Sequence, residues 1–183
     1  MADTAMDKHG IDRALRALGE HLDWHSDVDI TLVGGAALML TGQVDRRRVT
    51  TDCDVIDYLP QEAMAAVEIA GEKVADELGL DHDWLNSKVQ IRLDTLPDGW
   101  KERRIHCRDF GRLRVFALSR PDLIAMKVIA NRGQDRQDLD EIKVRHDEAE
   151  FVRNYLDGLA DKGTKQDQIN DARLVLESLK LYD

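Results

Sequence analysis

The 183-residue chain carries 26 Lys and Arg against 36 Asp and Glu, a net charge of −10, with 43% hydrophobic and 34% charged residues. That balance describes a soluble folded protein, about one domain in length with room for a helical appendage, rather than a disordered chain. It also argues against broad duplex-DNA binding, which needs an extended basic surface for the phosphates; a small phosphate-bearing ligand stays open. No apolar run approaches the roughly 20 residues that span a bilayer, so no membrane association is expected. The start MADTAMDKHGID lacks a basic stretch followed by an apolar one, and a secretory signal would need both. Only Cys53 and Cys107 are present, which predicts buried thiols, no disulfide framework and a cytoplasmic location.

In chain order, Ile11, Ala14, Leu15, Leu18 and Leu22 recur at helical spacing and predict an amphipathic helix. Val28–Val33 alternates as a strand and stops at Gly34-Gly35, after which Ala36–Leu40 favours a short helix. Asp52–Ile56 reads as a second strand, Gln61–Leu78 as a helix, and Asp83–Arg92 is ambiguous. Pro97-Asp98-Gly99 marks a turn. Two strands, Arg104–Phe110 and Leu113–Leu118, join near Gly111 as a hairpin. Ser119 with Pro121 opens a helix to about Asn131, and the remainder is helical in three pieces, broken near His146 and at Gly163. The expected fold is α+β (mixed α/β), a small mixed sheet flanked by helices with a C-terminal helical segment. The expected division is 1–145 for the main domain and 146–183 for a helical extension packed on it.

Asp52 and Asp54 are the sharpest chemical feature. At i and i+2 of a strand both carboxylates emerge on one face, while Cys53 and Val55 turn to the core. Paired carboxylates repel unless a cation lies between them, and Mg²⁺ takes carboxylate, phosphate and water oxygens. The plainer reading is two solvated aspartates at a strand end. A glycine pair between strand and helix lets backbone N–H groups approach a phosphate, or simply makes a turn. Lys127 interrupts an otherwise apolar helix. It either snorkels to the surface or is buried beside a carboxylate, with Asp138, and Asp140 and Glu141 close by, as the source. Arg46-Arg47-Arg48 is a local basic cluster, either a steering element for phosphate or a solvated loop. Arg103, Arg104, Arg108, Arg112 and Arg114 form a looser second one. His21 and His25, four apart, read as surface histidines rather than a zinc pair.

The stretches LVGGAALML, RRRVTTDCDV, DWLN, LRVFALSRPDLIAMKVIANR and QDLDEI resemble an uncharacterised bacterial and archaeal nucleotidyltransferase-like family. That family is a relative of the AbiEii toxins within the DNA polymerase β-type superfamily, and the resemblance covers roughly residues 10–145. It implies that Gly34 and Gly35 bind nucleotide phosphates, with Arg48 and Thr50 matching the nucleotide-binding positions just ahead of the metal-binding carboxylates Asp52 and Asp54. Lys127 and Asp138 match the catalytic lysine and aspartate of the later helices. It implies an NTP substrate, Mg²⁺, and an acceptor that is protein, RNA or a small molecule. Two departures stand out: Gly35 replaces the usual serine, and the third carboxylate of active members is not assignable, Asp94 and Asp109 being candidates. A degenerate site would make the chain a nucleotide-binding or toxin–antitoxin module with an antitoxin or other protein partner.

Overall fold

A computed structural model describes residues 5–44, 48–88, 96–161 and 163–183. Its contacts divide the chain into two compact units: Met1–Gln90 with Arg104–Leu118, and Ile91–Arg103 with Ser119–Asp183. The division groups the segment after residue 145 with the two helices before it.

The first unit is a mixed sheet with helices. Helix α1, Lys8–His21, is capped by Asp7, whose carboxylate accepts from the Gly10 backbone N–H at 2.8 Å. Ile11, Ala14, Leu15 and Leu18 are all fully buried, as the helical spacing requires. Strand β1, Val28–Val33, is buried along its whole length. Helix α2 covers Gly34–Leu40, and strand β2, Cys53–Leu59, runs three residues beyond the expected Ile56. Asp52 therefore lies just ahead of the strand. A 3₁₀ turn, Gln61–Ala63, leads into α3, Met64–Leu78. The ambiguous segment contributes the short β3, Leu85–Asn86, and the hairpin strands are β4, Ile105–Phe110, and β5, Leu113–Ala117.

The sheet order is β3-β2-β1-β5-β4. β1 pairs antiparallel to β2 and parallel to β5, β2 pairs parallel to β3, and β4 and β5 form the antiparallel hairpin. The central place of β1 accounts for its complete burial. Its two polar residues are satisfied from β5 and from the residue before β4. Asp29 accepts from Arg114 Nε at 2.6 Å, and Thr31 Oγ1 accepts from Arg104 Nη1 at 3.1 Å. Gly19 of α1 sits where an added Cβ would lie 2.4 Å from the Phe110 carbonyl oxygen, so only glycine allows this approach of helix to hairpin.

The second unit is helical: α4 Arg120–Ala130, α5 Gly133–Ile142, α6 His146–Gly158 and α7 Gln166–Ser178. α4 is its hub and packs against the other three. The expectation that α4 is apolar except at Lys127 is corrected at Asp122. This residue is fully buried and is bonded by Arg103 Nη2 at 2.7 Å and by the Ser119 hydroxyl at 2.5 Å. A second buried carboxylate, Glu148, accepts from Arg120 Nε at 2.5 Å. Two satisfied ion pairs thus tie the start of α4 to the turn ahead of β4 and to α6.

Candidate active site

The site grows out of the end of β1. Gly34 adopts φ +68°, a left-handed conformation that L side chains disfavour, and the chain turns there directly into α2. In the antiparallel register Val33 lies opposite Asp54, so the glycine turn and the carboxylate are neighbours by strand pairing. A Cβ on Gly34 would stand 3.1 Å from Asp54 Oδ2. One on Gly35 would stand 3.3 Å from Thr50 Oγ1 and 3.9 Å from Arg48 Nη2. The two glycines therefore let Asp54, Thr50 and Arg48 lie closer to the turn than a side chain there would allow.

Thr50 is fixed by its backbone, which pairs with Met6 in both directions (2.6 and 2.9 Å). Its hydroxyl donates to Asp52 Oδ1 at 3.1 Å. The expected alternation holds, since Cys53 and Val55 are buried while Asp52 and Asp54 are partly exposed. Burial pushes the Cys53 thiol far above its ordinary value, and the charges of Asp52 and Asp54 push it further. That thiol stays protonated and belongs to the core.

Beyond Val55 the register steps: Leu32 faces Val55, but Thr31 faces Asp57. Ile56 is thus an extra residue, and Asp57 turns to the same face as Asp54. At 7% exposed, Asp57 is a buried carboxylate on the site's face that strict period-two reading assigns to the opposite one. No residue type in the stretch marks the bulge.

Asp109 does not complete the site. β4 lies three strand positions from β2, about 14 Å at ~4.8 Å per strand. Asp109 is opposite Arg114, which is opposite Asp29, which is opposite Leu59, at the other end of β2 from Asp54. Its half-exposed carboxylate accepts from His106 Nε2 at 2.7 Å. Asp94, like Arg46 and Arg47, lies outside the described residues. His21 ends α1 and bonds Glu77 at 2.6 Å, while His25 lies past the helix end against Trp24. They do not share a helical face. Cys107 is only half-buried, contrary to expectation, and both thiols are unpaired.

Lys127 belongs to the second unit and does not snorkel. At 5% exposed, its ammonium donates to Asp138 Oδ2 at 2.5 Å and to Asp135 Oδ1 at 3.2 Å. Asp138 is the anticipated partner. Asp135 was missed, although it sits three residues earlier on the same face of α5. Gln134 donates to the other oxygen of Asp138 at 3.0 Å, and Arg132 to Asp135 through its backbone N–H (3.1 Å) and Nε (2.7 Å). Burial alone would raise the Asp135 carboxyl, but the Arg132 bond and the Lys127 charge outweigh it and hold it below the ordinary range.

Among the described residues no group of three or more His, Cys, Asp and Glu is arranged to hold a metal ion. Two carboxylates are nonetheless enough for magnesium when substrate phosphates supply further oxygens. Asp52 and Asp54 beside a turn without side chains fit that donor set. Among the described residues no helix is long and apolar enough to cross a membrane.

A strand, glycine turn and helix, with an Asp-x-Asp pair at the start of the adjacent antiparallel strand, belong to a mixed α/β protein. The match is specific: the chain belongs to the family described as nucleotidyltransferase of unknown function (DUF6036), whose model covers residues 9–175. No curated protein and no solved structure matches the chain.

Proposed function

We propose that the chain is a Mg²⁺-dependent nucleotidyltransferase that moves a nucleotidyl group from an NTP to a hydroxyl acceptor. One observation carries the reading: no side chain separates the glycine turn from Asp54, which lies against Gly34, or from Thr50 and Arg48, which lie against Gly35. The backbone N–H groups at the start of α2 face a triphosphate oxygen there, and the Arg48 guanidinium adds fixed positive charge. Thr50 holds the Asp52 carboxylate by its hydroxyl and so keeps it oriented. Asp52 and Asp54 are the residues that would hold magnesium, which when bound supplies charge neutralisation and orientation of phosphate oxygens. An acceptor hydroxyl oxygen then bonds to the α-phosphorus, the bond to the bridging oxygen breaks, pyrophosphate leaves and the hydroxyl proton is released.

Lys127 and Asp138 enter the proposal with a condition. The Lys127 ammonium is shared by Asp135 and Asp138, so its charge is already balanced by carboxylates before any phosphate is met.

The test is calorimetric titration of each of the four NTPs, with and without Mg²⁺, into wild type and an Asp52→Ala/Asp54→Ala variant, followed by a pyrophosphate-release assay on Asp54→Asn. Metal-dependent binding lost in the double variant, with turnover abolished in Asp54→Asn at unchanged melting temperature, supports the reading. Undiminished turnover in Asp54→Asn refutes it. Binding without pyrophosphate release from wild type assigns the chain to the non-catalytic nucleotide-binding modules instead.

A further inference from the structure

The second unit contains a cavity of about 250 Å³ lined by Pro97, Asp98, Phe151, Asn154, Tyr155 and Gly158. None of these residues belongs to the glycine turn. At ~30 Å³ per water the space is worth roughly eight waters, the size for one ring system rather than an extended ligand.

The backbone of both walls is held by side-chain bonds. Arg103 donates Nη1 to the Asp98 carbonyl at 2.7 Å and Nη2 to the Pro97 carbonyl at 3.3 Å. The same guanidinium is anchored on buried Asp122, at 3.1 Å from Nε and 2.7 Å from Nη2, and lies 5.1 Å from the Phe151 ring centroid. The opposite wall is α6, whose first turn is locked through Glu148 by Arg120 at 2.5 Å and by the Arg145 backbone N–H at 2.9 Å. Gly158 closes that helix, and a Cβ there would meet nothing within 4 Å.

The chemistry of the lining is specific. Pro97, Phe151 and Tyr155 offer flat apolar and aromatic surface. Asn154 carries an amide that both donates and accepts, and Asp98 a carboxylate that accepts. A planar heteroaromatic ring with N–H and carbonyl groups on its edge uses both parts: its face stacks and its edge is read. We propose that this cavity binds a nucleobase. The choice of a nucleobase among planar rings rests on the nucleotidyltransferase reading above.

The test uses the phosphate-free nucleosides guanosine, adenosine, cytidine and uridine, titrated by calorimetry or chemical-shift mapping into the full chain. Four proteins are compared: wild type, Gly158→Phe, Asn154→Ala and the Asp52→Ala/Asp54→Ala variant. The expected result is saturable binding of at least one nucleoside to wild type and to the aspartate variant, weakened at least tenfold in Gly158→Phe. If Gly158→Phe does not fold, Asn154→Ala, at an exposed helix position, decides by the same criterion. The proposal is overturned if no nucleoside saturates wild type, if the deciding variant binds as wild type does, or if binding is lost only in the aspartate variant. Failure of the nucleotidyltransferase reading is separately visible, because there Mg²⁺-NTP binding is absent or indifferent to the aspartate substitutions.

Discussion

At the residue scale the glycine turn makes the most exacting demand. Gly34 needs a positive φ and has Asp54 Oδ2 at 3.1 Å from any added Cβ. Alanine in the left-handed region costs about 1–2 kcal/mol, and its methyl presses on the carboxylate proposed to hold the metal. Gly34→Ala should therefore lower the unfolding free energy measured by urea denaturation by that amount and weaken Mg²⁺-NTP binding by more than the stability loss accounts for. Equal NTP affinity in the folded variant would remove Gly34 from the site. Cys53 and Cys107 supply a second check. Cys53 is fully buried and Cys107 half-buried, both as thiols. A maleimide should modify Cys107 slowly in the native protein and Cys53 only on unfolding, with two labels per chain in denaturant without reductant. Fewer than two labels would mean a disulfide.

At the scale of elements, the corner between α4 and α5 depends on Lys127. Removing one member of a buried ion pair leaves the other charge unpaired, which costs about 3–5 kcal/mol. Lys127→Met takes the shared ammonium away from Asp135, which keeps its bond to Arg132, and from Asp138, which keeps its bond to Gln134, so chemical denaturation should show a loss toward the lower end of that range; a loss under 1 kcal/mol would mean that those bonds compensate the missing ammonium. The same corner carries a pH dependence. Because folding lowers the Asp135 pKa, its contribution to stability is complete above the unfolded carboxyl value of about 3.9. It is lost as pH falls through the lower folded value. In Asp135→Asn the fall of the urea midpoint below about pH 4 should be shallower than in wild type, and an identical slope would contradict the assignment. The elements themselves were largely legible, because α1, β1 and the β4–β5 hairpin follow apolar periodicity and turn residues. The lengthened β2 was not, since its end carries Asp57, a charge that reads as loop until the bulge buries it.

At the scale of the whole molecule, the sheet order decides which carboxylates share a site. Asp109 is a candidate only as long as its strand is read as an isolated segment. With β1 and β5 between β4 and β2 it is removed by geometry. Asp57 and Asp135 went unnoticed for the opposite reason, since their importance comes from a register step and from a partner on another helix. The net charge of −10 predicts no measurable affinity for duplex DNA at 0.15 M salt, where phosphate contacts would need a basic surface; saturable binding in a gel-shift titration would refute that. The amino-acid sequence alone determined the mixed α/β class, the strand, glycine pair and helix, the Asp-x-Asp alternation and the identity of Asp138 as a partner for Lys127. These are local: each follows from spacing along one segment or from the cost of burying a charge. Tertiary structure alone decided that the glycine turn abuts Asp54, Thr50 and Arg48, that a bulge turns Asp57 to the same face, and that Asp122 and Glu148 are buried with arginine partners. Those outcomes depend on which strands pair and in what register, a free-energy balance over contacts distant in sequence that no single segment encodes.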